Sequence, residues 1–284
     1  MPLVSVCIPV YNGAKYLVET IASVQKQTFQ DFEILIQDNK STDDTWKIVL
    51  EQAARDPRIH PEQNASNLGM AMNWNVALDR PKSEFMMLLS ADDLLEPSFL
   101  EVALVKFRDD PSLGTVSFNH SLIEGGKYWI REMDLAAGKY SQRADIVLLK
   151  NPYSVNFSLY RTGFLNSIRR VGRIFGHFYT CDFGLHIRVA MTAVPLLYVD
   201  EPLGIYRVHG TQLSNQSSRM RRQKALTTLS LKKDLLPKYA WSYRYCLTRP
   251  LVGTVLATLR GQKFDRKLFV VVLRRVLRTF IGKQ

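Results

Sequence analysis

Short apolar runs, each stopping at a turn or a carboxylate and separated by stretches of helical period, constrain this chain more than any other feature. Residues 4–10 (Val-Ser-Val-Cys-Ile-Pro-Val) are apolar and β-branched and end in Tyr11-Asn12-Gly13, a turn signal. Leu17, Ile21 and Val24 then recur at helical spacing within 14–27. A second strand is expected over 32–37, stopping at Asp38, and a helix carrying Trp46, Val49, Leu50 and Ala53 follows. A short strand near 58–60, a helix over about 70–78 and a strand over 85–89 complete the series. This β-α-β-α-β-α-β alternation predicts a mostly parallel sheet covered by helices. Further on, strands are expected at 116–119, 154–160 and 195–199, and helices at 141–149 and 182–190.

The strand over 85–89 ends in Ser90-Ala91-Asp92-Asp93, two adjacent carboxylates. In an open α/β sheet, ligands bind just beyond the carboxyl ends of the strands, so Asp38 and Asp92-Asp93 should converge on one edge. Hard oxygen donors there suit Mg²⁺ or Mn²⁺ held together with a substrate's phosphates. That points to chemistry on a nucleotide-activated substrate. The same pair, standing before Leu94 to Leu100, is also good helix-cap chemistry.

Charge divides the 284-residue chain in two. Of its net charge of +12, residues 215–284 supply 17 Lys and Arg against Asp234 and Asp265, leaving 21 basic and 24 acidic residues in 1–214. Within the tail, Lys267, Arg274 and Arg278 share one side of a helical wheel, and Leu268, Phe269, Val272, Leu273, Val276, Leu277 and Phe280 the other. Such a basic amphipathic helix reads as a membrane-surface element, and Trp241, Tyr243 and Tyr245 suit the headgroup region. The structural alternative is a helix packed on the domain with a solvated basic face. No nucleic-acid-binding motif accompanies the charge, so no nucleic-acid partner is expected. Cys7, Cys181 and Cys246 match no zinc spacing and form no disulfide framework, which favours a reducing compartment. The N-terminus lacks a basic secretory n-region, and no apolar run approaches membrane-spanning length. The expected location is cytoplasmic, peripheral on the inner face of a membrane.

Several segments, in order, resemble the family 2 glycosyltransferases. Val4 to Asn12 is similar to the family's first strand and loop, and Gln37-Asp38-Asn39-Lys40-Ser41-Thr42-Asp43 to its Asp-Asp-Gly-Ser-Thr-Asp segment. Asn67-Leu68-Gly69 through Asn73-Trp74-Asn75 resembles an Asn-x-Gly…Asn-Trp-Asn pattern, and Ser90-Ala91-Asp92-Asp93 falls at its Asp-x-Asp motif. Thr180-Cys181-Asp182 with Arg188 looks like its Glu-Asp…Arg helix, and Tyr206-Arg207-Val208-His209 like its Tyr-Arg-x-His segment. The resemblance implies a GT-A-type, Rossmann-like α/β domain over 1–214, with nucleotide-sugar binding in about 1–119 and an acceptor and catalytic part in about 120–214. The tail over 215–284 has no counterpart in the resemblance.

Carried onto this sequence, the resemblance makes Asp182 the general base of an inverting transfer and Asp92 and His209 ligands of Mg²⁺ or Mn²⁺. It places Asp38 on the nucleotide base and Pro9, Tyr11 and Asn12 around base and ribose. Asn67, Gly69, Asn75, Ser90, Ala91, Asp93 and Arg207 are the further expected substrate contacts. A carboxylate accepts from an imide N–H such as that of uracil, as Asp38 would. Asp182 is also well placed as a helix N-cap. Two departures stand out: Ser90 replaces a first Asp, and Cys181 replaces an acid that often precedes the base. The implied partners are a nucleoside diphosphate sugar and a hydroxyl of a glycan or lipid-linked acceptor, with an anionic membrane surface binding 215–284. The rival expectations are a sugar nucleotidyltransferase, which needs a Gly-rich basic phosphate loop that Tyr11-Asn12-Gly13-Ala14 does not resemble, and a non-catalytic scaffold binding membrane or nucleic acid through the tail.

Overall fold

The structure, a computed structural model, describes residues 1–132, 135–143, 154–169, 172–175, 181–210 and 212. Most of the helix expected over 141–149 and the whole tail from 215 lie outside the described residues.

The first half of the chain folds as its pattern predicts. Strand β1 (Val4–Val10), helix α1 (Leu17–Gln25), strand β2 (Phe32–Asp38), helix α2 (Thr45–Arg55), strand β3 (Ile59–Gln63), helix α3 (Met70–Asp79) and strand β4 (Phe85–Leu88) follow one another. β3, β2, β1 and β4 pair in that order, all parallel. Because β1 lies between two strands and under helices on both faces, every one of its residues is buried, and it reads as an apolar run rather than an alternation. Val4, Val6, Ile8 and Val10 pack with Leu17, Ile21 and Val24 of α1, while Cys7 turns to the other face with Ala77 and Leu78 of α3.

The second half departs from simple alternation. Asp92 and Asp93 do not cap a helix: a two-residue strand β5 (Leu94–Leu95) follows them, and helix α4 (Phe99–Asp109) starts beyond it. Strand β6 (Thr115–Glu124) turns through Gly125-Gly126 into β7 (Lys127–Ile130), and β8 (Gly138–Tyr140) follows. A 3-10 turn (Val155–Phe157) leads into β9 (Ser158–Arg161) and the short helix α5 (Thr162–Ser167). Helix α6 (Cys181–Met191) and the long strand β10 (Leu196–Arg207) close the domain. The sheet continues β4-β9-β6-β10-β5 and is mixed: β9 runs antiparallel to both β4 and β6, whereas β10 is parallel to β6. With β9 reversed between them, β4 and β6 point the same way, so β1, β2, β4, β6 and β10 all end at one edge. Phe183 and Ile187 of α6 join the α3 side of the core, and α4 lies with α1 through Phe99, Ala103 and Phe107.

Register shifts at Val199/Pro202 and Pro202/Gly204 bend β10 across the sheet. A β-carbon on Gly204 would lie 2.2 Å from the Phe157 ring, so glycine lets β10 ride directly over that turn.

Candidate active site

The shared strand edge carries two adjoining clusters. The first surrounds Asp38, the last residue of β2, whose side chain is fully buried. One carboxylate oxygen accepts from the Ser41 N–H at 3.1 Å and from Gln63 Nε2 at 2.7 Å, and the other accepts from the Ser41 hydroxyl. Ser41 Oγ also accepts from the Asn12 N–H at 2.9 Å, and Asn12 Oδ1 accepts from the Thr42 N–H at 2.9 Å. Asn12 takes a left-handed backbone, φ 51°, which asparagine tolerates better than most residues. Pro9 is buried in β1, and Tyr11 is 47% exposed on the loop beyond it. The first expected group is thus assembled: loop 11–13 is tied through Ser41 to the carboxylate of Asp38.

Beside it, neutral amides knit the ends of β1, β2 and β3 to α3. Asn39 donates to Asn67 Oδ1 at 3.0 Å and accepts from Asn64 at 2.9 Å, and Asn64 donates to Asn73 at 2.8 Å. Asn67 Oδ1 also accepts the Gly69 N–H at 2.8 Å, and Gly69 has φ 78° at the start of α3. Asn67 and Gly69 are exposed and shape this turn. Asn75 lies elsewhere, on the α3 face turned to residues 174–175. Its Oδ1 accepts the Ile174 and Phe175 N–H groups, both at 2.9 Å, and its amide nitrogen donates to the Ala71 and Phe175 carbonyls. At 3% exposure it holds that segment against α3, with Trp74 edge-on to Phe175.

The second cluster is built on the turn after β4. Asp92 is partly exposed, and its Oδ2 lies 3.0 Å from His209 Nε2. Asp93 is buried and accepts from Asn156 Nδ2 at 2.6 Å and from the Arg207 N–H at 3.1 Å. Burial first, and then the neighbouring Asp92 charge, pushes the Asp93 carboxyl well above the usual range, against those two bonds. Ser90 Oγ donates to Asn156 Oδ1 at 3.1 Å. The Arg207 guanidinium donates to the Asp92 carbonyl at 3.0 Å and to Glu19 at 2.7 Å and stacks 4.7 Å over the Tyr16 ring. The His209 ring stands 4.8 Å from that same ring.

Ala91 joins the two clusters. A β-carbon on Gly13 would come within 2.5 Å of Val10, so glycine lets the first loop fold close over the end of β1, and the same position faces Ala91 at an ordinary contact distance of 3.6 Å. Thr20 of α1 donates to the Ala91 carbonyl at 3.0 Å. Asp182 occupies the first turn of α6 and is half-buried, and its charge reaches the buried phenol of Tyr160 on β9. As the second residue of its helix, it also meets the positive end of the helix dipole.

The structure therefore gathers Asp38 with Asn12, and Ser90, Asp92, Asp93, Arg207 and His209 with one another. Residues 5–169 match the profile of Glycosyl transferase family 2. The chain belongs to that family. Its sheet, with the strand ends converging as described, has the GT-A fold of the solved structures it superimposes on. The chain superimposes on Staphylococcus aureus TarS 1–349 in complex with UDP-GlcNAc at TM-score 0.76, with 19% identity over 97% of this chain and 81% of that one. It superimposes on the mannosyltransferase PcManGT from Pyrobaculum calidifontis, in complex with GDP-Man and Mn²⁺, at TM-score 0.63, with 17% identity over 97% of this chain and 81% of that one. In sequence it is 39% identical to the chondroitin synthase of Escherichia coli over 137 residues, 45% of this chain but only 20% of that protein.

Four residues packed around the candidate site, Tyr16, Glu19, Asn156 and Gln212, carry no motif. Tyr16, which caps the N-terminus of α1, and Glu19 in its first turn are three apart, directly after the loop that signals the nucleotide site. That spacing is the signal that could have found them. Asn156 stands alone in a turn, and Gln212, whose Oε1 accepts the His209 N–H at 3.1 Å, lies beyond the last motif.

Among the described residues no three His, Cys, Asp or Glu side chains converge as a ready-made metal cluster. The donor chemistry at Asp92 and His209 nevertheless fits a cation shared with phosphates. Mg²⁺ and Mn²⁺ sites of that kind use one or two protein ligands and complete their shell with substrate oxygens and water.

Proposed function

We propose that the chain is an inverting, metal-dependent glycosyltransferase that moves a sugar from a nucleoside diphosphate sugar to a hydroxyl of a glycan or lipid-linked acceptor in cell-surface polysaccharide synthesis. The observation that carries this reading is the adjacency of loop 11–13, tied to Asp38 through Ser41, to the turn at Asp92, where the Gly13 position faces Ala91. A nucleoside held by the first places its diphosphate at the second. The ligands of the solved relatives, UDP-GlcNAc in TarS and GDP-Man with Mn²⁺ in PcManGT, support such a donor, and the chondroitin synthase supports a polysaccharide product.

In this reading Asp38, Tyr11 and Asn12 orient the nucleoside, and Arg207 faces the phosphates while Glu19 and Tyr16 hold it in place. Asp92 and His209 would hold Mg²⁺ or Mn²⁺, which when bound stabilises charge on the leaving diphosphate. Asp182 accepts the acceptor hydroxyl's proton as its oxygen bonds to the anomeric carbon and the carbon–phosphate-oxygen bond breaks. A single displacement inverts the anomeric centre. Among the described residues no helix is long and apolar enough to cross a membrane. The basic tail over 215–284 would bring the domain to an anionic, cytoplasmic membrane face, where a lipid-linked acceptor is presented.

Calorimetric titration with a panel of nucleoside diphosphate sugars, with Mn²⁺ and with chelator, tests the proposal on wild type and Asp92→Asn. Metal-dependent binding of a donor by the wild type, lost in the variant, is expected. A folded wild type that binds no donor refutes it and leaves the basic tail as the function to pursue.

A further inference from the structure

We infer that Asn156 is the positioning residue that turns Asp92 toward the ligand and Asp93 away from it, and that cation affinity depends on Asn156 although it touches no cation. The inference rests on the donor-site reading above. Two adjacent aspartates on one turn are equivalent in sequence, and something must decide which of them faces outward. The structure supplies the choice through one planar amide. Asn156 Nδ2 donates to Asp93 Oδ2 at 2.6 Å, Asn156 Oδ1 accepts from Ser90 Oγ at 3.1 Å, and Asp93 Oδ1 takes the Arg207 N–H at 3.1 Å. Both Asp93 oxygens are thereby engaged by protein donors in a buried setting. Asp92 is left as the carboxylate of the pair that reaches His209 and solvent.

An amide suits this position. It must donate to a carboxylate on one side and accept from a hydroxyl on the other. An aspartate would set two carboxylates face to face, and an apolar residue would leave a buried Asp93 oxygen without its donor. The anchor is rigid, because Asn156 is 8% exposed in the 3-10 turn whose last residue, Phe157, is clamped between Gly204 and the His120 ring. Ser90 completes the arrangement. Where relatives are expected to carry a first Asp, this chain has a hydroxyl that holds the amide from behind. A carboxylate there would confront the Asn156 carbonyl oxygen.

Outer-shell partners of metal ligands typically change affinity by about 10–100-fold when removed. The test is Mn²⁺ binding by the full chain in the presence of UDP or GDP, with free Mn²⁺ followed by electron paramagnetic resonance. Metal-free nucleotide affinity is measured alongside by calorimetry. Asn156→Ala is expected to weaken Mn²⁺ binding by about 10–100-fold while metal-free nucleotide affinity stays at the wild-type value. A general loosening of the fold would lower both together, and that result overturns the inference, as does unchanged Mn²⁺ affinity. Ser90→Ala frees only the back of the amide and is expected to weaken Mn²⁺ binding severalfold in the same direction. If Asn156→Ala does not fold, Ser90→Ala decides alone, and an unchanged affinity there overturns the inference. A wild type that binds nucleotide with no Mn²⁺ dependence overturns both this inference and the metal half of the donor-site reading. Donor binding that survives with Mn²⁺ dependence equal in all three proteins overturns this inference alone.

Discussion

His120 should make the fold acid-sensitive in a pH range where few other groups titrate. The residue sits on β6 with 3% exposure, its ring 4.9 Å from Phe157 and 6.0 Å from Tyr206. Its Nε2 lies 3.2 Å from Arg131 Nη1, which can only donate, so the imidazole accepts there and is neutral. Burial, with the Arg131 charge added, lowers its pKa to about 4. In the unfolded chain the same ring titrates near 6.5, so as pH falls below that value the unfolded state takes up a proton that the folded state refuses. Stability from this group is therefore fully present above about pH 6.5 and declines down to about pH 4, where the folded form is protonated as well. At about 1.4 kcal/mol per pH unit, roughly 2 kcal/mol is lost between pH 7.5 and pH 5, and about 3 kcal/mol by pH 4. His120→Gln keeps an acceptor for Arg131 and removes the titration. Urea unfolding followed by tryptophan fluorescence should show the stability gap between wild type and variant shifting by about 2 kcal/mol in favour of the variant from pH 7.5 to pH 5. Parallel pH profiles for the two proteins refute the reasoning.

Two other substitutions separate packing from chemistry. Asn75→Ala leaves the Ile174 and Phe175 N–H groups without their acceptor, which should destabilise the protein by about 2–4 kcal/mol. Hydrogen exchange should show the loss first at those two amides, and unchanged protection there refutes the role assigned to Asn75. Asp182→Asn removes the proposed base without touching the nucleotide loops, so sugar transfer should fall by about 10²–10⁴ while calorimetric donor affinity holds. A variant that transfers at the wild-type rate takes Asp182 out of the mechanism.

How much of this was legible depends on where the apolar pattern and the packing coincide. β1, β2 and β4 are buried on both faces, so their apolar runs stand out, and α1 to α3 carry apolar residues at helical spacing because one face of each meets the sheet. β7 escaped notice because all four of its residues are exposed and nothing buried imposes an alternation. β10 reads as a strand only to Val199, since the shifts around Pro202 and Gly204 interrupt its period before it reaches Arg207. The reversed direction of β9 is a consequence of long-range pairing, which its four residues do not encode. At the site, motifs identify carboxylates but not their surroundings. Asp92 and Asp93 are chemically identical in the sequence, and their division into an outward and an inward residue comes from Asn156, 63 positions away.

The manner in which each carboxylate is satisfied bears on what the edge binds. Asp38 is held by a serine, a backbone amide and a glutamine, and the two oxygens of Asp93 by an asparagine and a backbone amide, so among the described residues no cationic side chain bonds directly to either carboxyl. Arg207 is shared between Glu19 and a carbonyl, and its charge is already answered by that glutamate. A nucleoside diphosphate adds further negative charge to an edge that is acidic on balance, and in a partly buried site that repulsion is weakly screened. Neutral donors can shape such a site but cannot offset its charge. In the proposed reading the compensation would arrive with the ligand, and a divalent cation held by Asp92 and His209 together with the diphosphate would supply it where the two negative groups meet. On this argument the donor and the cation bind as a unit, so each should raise the affinity of the other by the same factor.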